Sequence, residues 1–203
     1  MISHAHRCIF VHIRKNAGGS IVANFLDEGE DAADRGYGTD GVLDPAWEND
    51  KYPGYLVFAV VRNPWSRFIS GWRWLCRRAF DAKGNLGPDY YRTRSLRTIL
   101  TELPDLLPAK SHDRRHLLWS HLDMLRDAQG QIIADRILRF ESLSADFQSL
   151  CGEIGKNDSQ LRHRNRTGGR PYWEYYDSET REMVGRMFRE DIEHFGFKFG
   201  DPG

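Results

Sequence analysis

Two stretches decide the reading of this chain: Ile9-Phe10-Val11-His12-Ile13-Arg14-Lys15-Asn16-Ala17-Gly18-Gly19-Ser20-Ile21 and Phe58-Ala59-Val60-Val61-Arg62-Asn63-Pro64-Trp65-Ser66-Arg67-Phe68-Ile69-Ser70. Each reads as a buried strand that runs into a polar turn and then a helix. In the first, Cys8 to Ile13 is mostly apolar and β-prone, and Ile21, Val22, Phe25 and Leu26 then recur at helical spacing. Gly18 and Gly19 sit at the turn, where glycine lets the main chain approach a ligand and helix-start amides point at it. Lys15 adds a mobile point charge. In the second, Tyr55 to Val61 is an apolar run ending at Arg62. Asn63-Pro64 reads as an N-cap followed by proline at the first helical position. Two parallel strands that bring a cation and a helix N-terminus to one sheet end make an anion site.

The first stretch is not a Walker A loop, because Lys15 precedes the glycines and no Gly-Lys-Ser/Thr follows. Alone, it also reads as an ordinary strand–turn–helix with a solvated lysine. The second stretch adds Arg62 and Ser70, eight residues apart across a helix start.

Outward from these segments, the pattern predicts one α/β domain over residues 1–203: a P-loop-like three-layer fold with a mostly parallel central sheet flanked by helices. Residues 27–53 read as acidic, Gly-rich loops. Trp65, Phe68, Ile69, Trp72 and Leu75 define an amphipathic helix, residues 79–89 a turn region, and Leu96 to Leu103 a helix ending before Pro104. Gln131 to Phe140 reads as a further strand, and Leu143, Phe147, Leu150 and Ile154 mark a helix. A final helix begins at Asp177 or Ser178 and uses Val184, Met187, Phe188 and Ile192. The 203 residues suffice for a proper core, and 29 basic residues balance 29 acidic ones. No global field draws nucleic acid, so any anion site is local. No run has the length of a membrane span, and the start lacks a signal-peptide pattern. Cys8, Cys76 and Cys151 read as core residues of a reducing compartment, and cytoplasm is the expectation.

The chain resembles the sulfotransferases that use 3′-phosphoadenosine 5′-phosphosulfate (PAPS), most of all the compact group related to carbohydrate sulfotransferases. Their motif His-Ile-Pro-Lys-Thr-Gly-Gly-Thr-Ser stands here as His12-Ile13-Arg14-Lys15-Asn16-Ala17-Gly18-Gly19-Ser20. Their Arg-Asn-Pro-Trp with a following helix serine stands as Arg62-Asn63-Pro64-Trp65 with Ser70. Arg139 to Leu143 with Asp146-Phe147, and the tail from Tyr175 to Phe197, match as well. The resemblance implies that Lys15, Asn16, Ala17, Gly18, Gly19 and Ser20 wrap the 5′-phosphate. Lys15 then also neutralises charge on the leaving oxygen, and Arg62 and Ser70 hold the 3′-phosphate.

A basic run, Arg162 to Arg170, is either a solvated loop or a segment that closes on the nucleotide, with Arg164 and Arg166 as its contacts. The same arginines beside Tyr172 and Trp173 also suit RNA. Removing the acceptor's proton needs a base. Relatives place a histidine or an acid between the first helix and the Arg62 strand. Here that segment holds no histidine, and Asp40 is its first candidate. His121 is the second, with His116 beside it. His12, amid apolar neighbours, reads as structural. His112, His116 and His121 lack the Glu of a zincin pattern, and no metal is expected. Trp74 lies off its helix's apolar stripe, where it could meet a sugar ring. Glu141 either orients a cationic ligand or caps its turn. The expected activity is sulfuryl transfer from PAPS to a hydroxyl or amine of a carbohydrate or small molecule, with release of adenosine 3′,5′-bisphosphate. The rivals are a P-loop-type phosphotransferase and a non-catalytic nucleotide-binding relative that lacks the base.

Overall fold

The apolar runs before Lys15 and Arg62 pair side by side in parallel, as their β-prone composition requires. The computed structural model describes residues 1–26, 52–78, 86–108, 111–161 and 170–201. In chain order these form β1 (Ile2–Ser3), β2 (Cys8–Val11), α1 (Gly18–Leu26), β3 (Leu56–Val61), α2 (Pro64–Arg77), α3 (Pro88–Thr93), α4 (Leu96–Leu106), α5 (His112–Leu117), α6 (Leu122–Leu125), β4 (Arg136–Arg139), α7 (Leu143–Glu153), α8 (Ser178–Met187) and α9 (Arg189–Phe195). Short 3-10 turns occupy Phe140–Ser142 and Tyr172–Tyr175. The chain divides into two compact units: Met1–Arg62 with His121–Arg166, and Asn63–Ser120 with Thr167–Gly203.

The first unit is α/β. Its sheet runs β1-β2-β3-β4, with β1 antiparallel and the other three strands parallel. Strands buried on both faces need continuous apolar sequence, and Phe58, Val60, Ala59 and Val61 are all fully buried. One face carries α1 and α7 through a chain of rings. Phe10 stacks on Phe58 at 5.0 Å, Phe58 on Phe25 at 6.2 Å, and Phe25 meets Phe147 edge-on at 6.2 Å. Each such pair contributes about 0.5–1.5 kcal/mol beyond its buried area. The strand expected over Gln131–Phe140 is shorter, Arg136–Arg139. The Asp135 carboxylate accepts from the Val57 amide (2.7 Å) in place of a strand partner, and Ile132 forms only an isolated bridge to Arg126.

The second unit is helical and has its own core. Trp65, Phe68, Ile69 and Leu75 of α2 pack with Leu96, Ile99, Leu100 and Leu103 of α4 and with Val184 and Phe188. Asn63 caps α2 by accepting from the amides of Trp65 (3.2 Å) and Ser66 (3.4 Å), with Pro64 at the first turn. Gly71 permits a close crossing, since a Cβ there would lie 2.8 Å from the His116 carbonyl oxygen. Arg78 and Asp113 form a buried ion pair, and Asp113 also accepts from the Tyr91 hydroxyl (2.6 Å) and the Leu86 amide (3.1 Å). Trp65, Trp72, Trp74, Trp119 and Trp173 all belong to this unit.

Three helix readings are corrected here. Helix α4 does not stop before Pro104 but runs to Leu106. Arg114 makes this possible by donating to the carbonyls of Pro104 (3.0 Å) and Leu107 (2.9 Å) at the helix end. Gly87-Pro88 is not a turn but the start of α3, with proline in the first turn. The final helix is two, α8 and α9. Asp177 caps α8 in a capping box with Thr180, and buried Phe188 leaves helical geometry at φ −117°, ψ 30°. None of the three cysteines forms a disulfide, and Cys8 and Cys151 are buried. Among the described residues no helix is long and apolar enough to cross a membrane.

Candidate active site

Parallel register aligns the strand ends: Val11 lies opposite Ala59, and Val61 opposite Arg139. The segments that follow β2, β3 and β4 therefore leave from one edge of the first unit's sheet, where open α/β sheets bind ligands. They carry Lys15, Arg62, and Phe140 with Glu141.

The turn after β2 is held open by its backbone. Lys15 has φ 69° and Ala17 φ 61°, while Asn16 between them has negative φ. Left-handed geometry at a non-glycine residue costs about 1–2 kcal/mol. Alternation of this kind turns successive amides toward one concavity, an anion-binding nest. The amides of Asn16, Ala17, Gly18 and Gly19 donate to no acceptor among the described residues, whereas those of Ser20 (2.9 Å) and Ile21 (3.2 Å) bond back to the Ala17 carbonyl. Asn16 pins the turn to the sheet, its fully buried Nδ2 donating to the Val60 carbonyl at 2.7 Å.

Neither Gly18 nor Gly19 has positive φ, so the backbone freedom lies at Lys15 and Ala17 instead. Gly18 is required by packing, because a Cβ there would sit 1.9 Å from Nε2 of His12. Gly19 is exposed, and a Cβ there would meet nothing within 4 Å. It leaves open space beside the turn.

Charge is crowded at this edge. Burial lowers the Lys15 ammonium to about 8, and Arg62 and Arg14 push it the same way. His12 drops to about 4, first through burial and then through Arg14, the N-terminal ammonium and Lys15. Its ring is neutral near pH 7 and stacks on Phe10 at 5.6 Å. Arg62 donates through Nη1 to the Lys15 carbonyl (3.0 Å), and its guanidinium lies 3.8 Å from the Phe140 ring centroid. An edge rich in donors and positive potential favours an anion with several oxygens.

Ser20 is buried within the first turn of α1. Ser70 is half-buried on α2, in the second unit. Asp40, Arg164 and Arg166 lie outside the described residues. His121 is fully buried, and its Nε2 accepts from the Arg62 amide at 3.2 Å. His116 is buried too, with Nδ1 2.9 Å from the His112 carbonyl. Trp74 lies parallel to the His116 ring at 4.5 Å, so one indole face is already covered. The sequence reading missed Phe140 as the platform for Arg62. Asp146, quoted there only as part of a motif match, accepts through its carboxylate from the Arg139 amide (2.7 Å) and the Ser142 hydroxyl (3.0 Å), which fixes the turn that presents Phe140.

No curated protein matches this chain. A solved structure, a sulfotransferase from Alicyclobacillus acidocaldarius, aligns at 17% identity and a TM-score of 0.43. The alignment covers 73% of this chain and 56% of that one, so the chain spans little more than half that structure's length. The sequence model of the sulfotransferase family matches residues 1–198, across both units. On that match, the chain belongs to the sulfotransferase family.

Proposed function

We propose that this chain transfers a sulfuryl group from PAPS to a hydroxyl or amine of a carbohydrate or small molecule and releases adenosine 3′,5′-bisphosphate. The observation that carries the proposal is the set of unengaged amides from Asn16 to Gly19 beside Lys15 and Arg62. A phosphate group needs several N–H donors and positive charge without competing carboxylates, and this turn supplies donors and charge together. The residues present fit the donor.

When bound, PAPS supplies an activated sulfuryl group attached to a phosphate that can leave. The amides of residues 16–19 hold that phosphate, and the Lys15 ammonium offsets the negative charge that grows on the departing oxygen. Arg62 offers a planar fork to the 3′-phosphate. Ser70 enters the proposal through its place in the family motif, as do Arg164 and Arg166 through theirs. Asp40 is the proposed proton acceptor.

The test is calorimetric titration with adenosine 3′,5′-bisphosphate and, separately, with ATP and Mg²⁺ at fixed salt. The proposal expects tight bisphosphate binding that weakens roughly tenfold or more in Arg62→Ala, the loss typical of a charged hydrogen bond. Binding of Mg-ATP alone would instead assign the phosphotransferase reading. Binding of neither would remove the nucleotide from the proposal altogether.

A further inference from the structure

We infer that His121 is a positioning residue that sets Arg62 for anion binding, rather than the proton acceptor of the reaction. The inference rests on the reading of Arg62 as an anion ligand. The ladder between β3 and β4 ends at Val61, which lies opposite Arg139. The Arg62 amide is the first beyond it, and a half-buried amide left without an acceptor loses a hydrogen bond that water replaces only in part. His121, immediately before α6, meets that need with Nε2 at 3.2 Å. Because the amide is the donor, Nε2 offers its lone pair and the ring proton sits on Nδ1.

The consequence runs along the main chain. With its amide pinned, Arg62 directs Nη1 to the Lys15 carbonyl (3.0 Å) and lays its guanidinium 3.8 Å from the Phe140 ring centroid. Rotation of the Arg62 backbone would break both contacts, and the first of them braces the left-handed Lys15. His121, Arg62 and Lys15 thus form one relay of position that ends at the phosphate turn. A general base, in contrast, must bring a lone pair within hydrogen-bond reach of the acceptor hydroxyl. The Nε2 lone pair of His121 is engaged, and the ring is fully buried.

The experiment compares wild type, His121→Leu and His121→Gln in the full chain. Gln retains an acceptor at the distance of Nε2, whereas Leu keeps the bulk without it. Hydrogen exchange at the Arg62 amide is read against the ladder amides of β3, so that general destabilisation cancels. Bisphosphate affinity is measured alongside. Leu should speed Arg62 exchange and weaken the bisphosphate, each by roughly 10- to 100-fold, as expected for a lost buried acceptor. Gln should stay within about threefold of wild type in both, on the same reasoning. Equal behaviour of Leu and wild type, or of Gln and Leu, overturns the inference. So does transfer that fails in Gln while its affinity and exchange stay normal, since that is the signature of a base. Should wild type bind no bisphosphate, the reading of the function falls, and the exchange data alone decide the role of His121.

Discussion

The two units treat buried charge in opposite ways. In the helical unit, Arg78 meets Asp113, and the carboxylate collects Tyr91 and Leu86 as further donors. In the sheet unit, Lys15 is held low by burial and then by the neighbouring cations Arg62 and Arg14. The first arrangement is complete in itself, and breaking it exposes a buried charge. The second is the kind of perturbed cationic cluster that marks a candidate binding site. On the proposed function, the pair belongs to scaffolding and the crowd to ligand binding.

The largest expected effect tests the scaffold. Asp113→Ala should lower the unfolding free energy by about 3–5 kcal/mol, because it removes the carboxylate that offsets the buried Arg78 charge. Denaturant unfolding measures this, and the bisphosphate affinity of the folded fraction should not change. A parallel fall in affinity would erase the contrast between the units. Lys15→Ala should do the reverse. Transfer should drop by about 10²–10³-fold, bisphosphate affinity should fall only moderately, and stability should hold or rise. Unchanged turnover in that variant would sink the proposed role of the lysine.

The glycines sharpen the comparison at smaller scale. Gly18→Ala should cost about 1–3 kcal/mol through collision with His12. Gly19→Ala has open space around its new methyl, so stability should be unchanged or better by about 0.5–1 kcal/mol. On the proposed function, bisphosphate binding should nevertheless weaken if the new methyl narrows the approach to the turn. Equal stability of the two variants would contradict the packing of His12 beneath Gly18.

The pH dependence is the subtlest test. Lys15 is charged below about 8, so bisphosphate affinity should hold between about 6, where the phosphates themselves protonate, and 8, and decline above it. Between about 8 and the ordinary 10.5, the unfolded chain binds more protons than the folded one. Folding stability from this residue therefore rises with pH across that window. His12 acts the same way lower down: between about 4 and 6.5 the unfolded chain holds the extra proton. Stability from His12 is thus lost as pH falls from 6.5 toward 4. A pH titration of bisphosphate affinity and of the unfolding midpoint reads both.

Legibility in the sequence differs between the units for a physical reason. Parallel strands buried on both faces leave unbroken apolar runs, so β2 and β3 stand out, as do the Asn63 cap and the Asp177 cap. The helical unit packs short elements whose limits depend on distant partners. Nothing near Pro104 announces that Arg114 would carry α4 past it, and nothing near Phe188 announces a break inside a continuous apolar period. At the site, the composition of residues 12–20 identified the turn, but not which residues strain. Left-handed Lys15 and Ala17 are set by the Asn16 bond to Val60 and the Arg62 bond to the Lys15 carbonyl, and both partners are more than forty positions away. His121 looked like a base because histidine is the commonest one. Only its amide partner, fifty-nine residues upstream, shows the lone pair in use.

The placement of the tryptophans gives the chain a built-in spectroscopic division. Trp65, Trp72, Trp74, Trp119 and Trp173 report on the helical unit, and the sixth, Trp47, falls within the sequence range of the other. Intrinsic emission from a Trp47→Phe protein would therefore follow the helical unit alone. The phosphate turn, which carries no indole, would be read through the bisphosphate. Emission would then follow the helical unit and the bisphosphate the proposed site, in one cuvette and without a label.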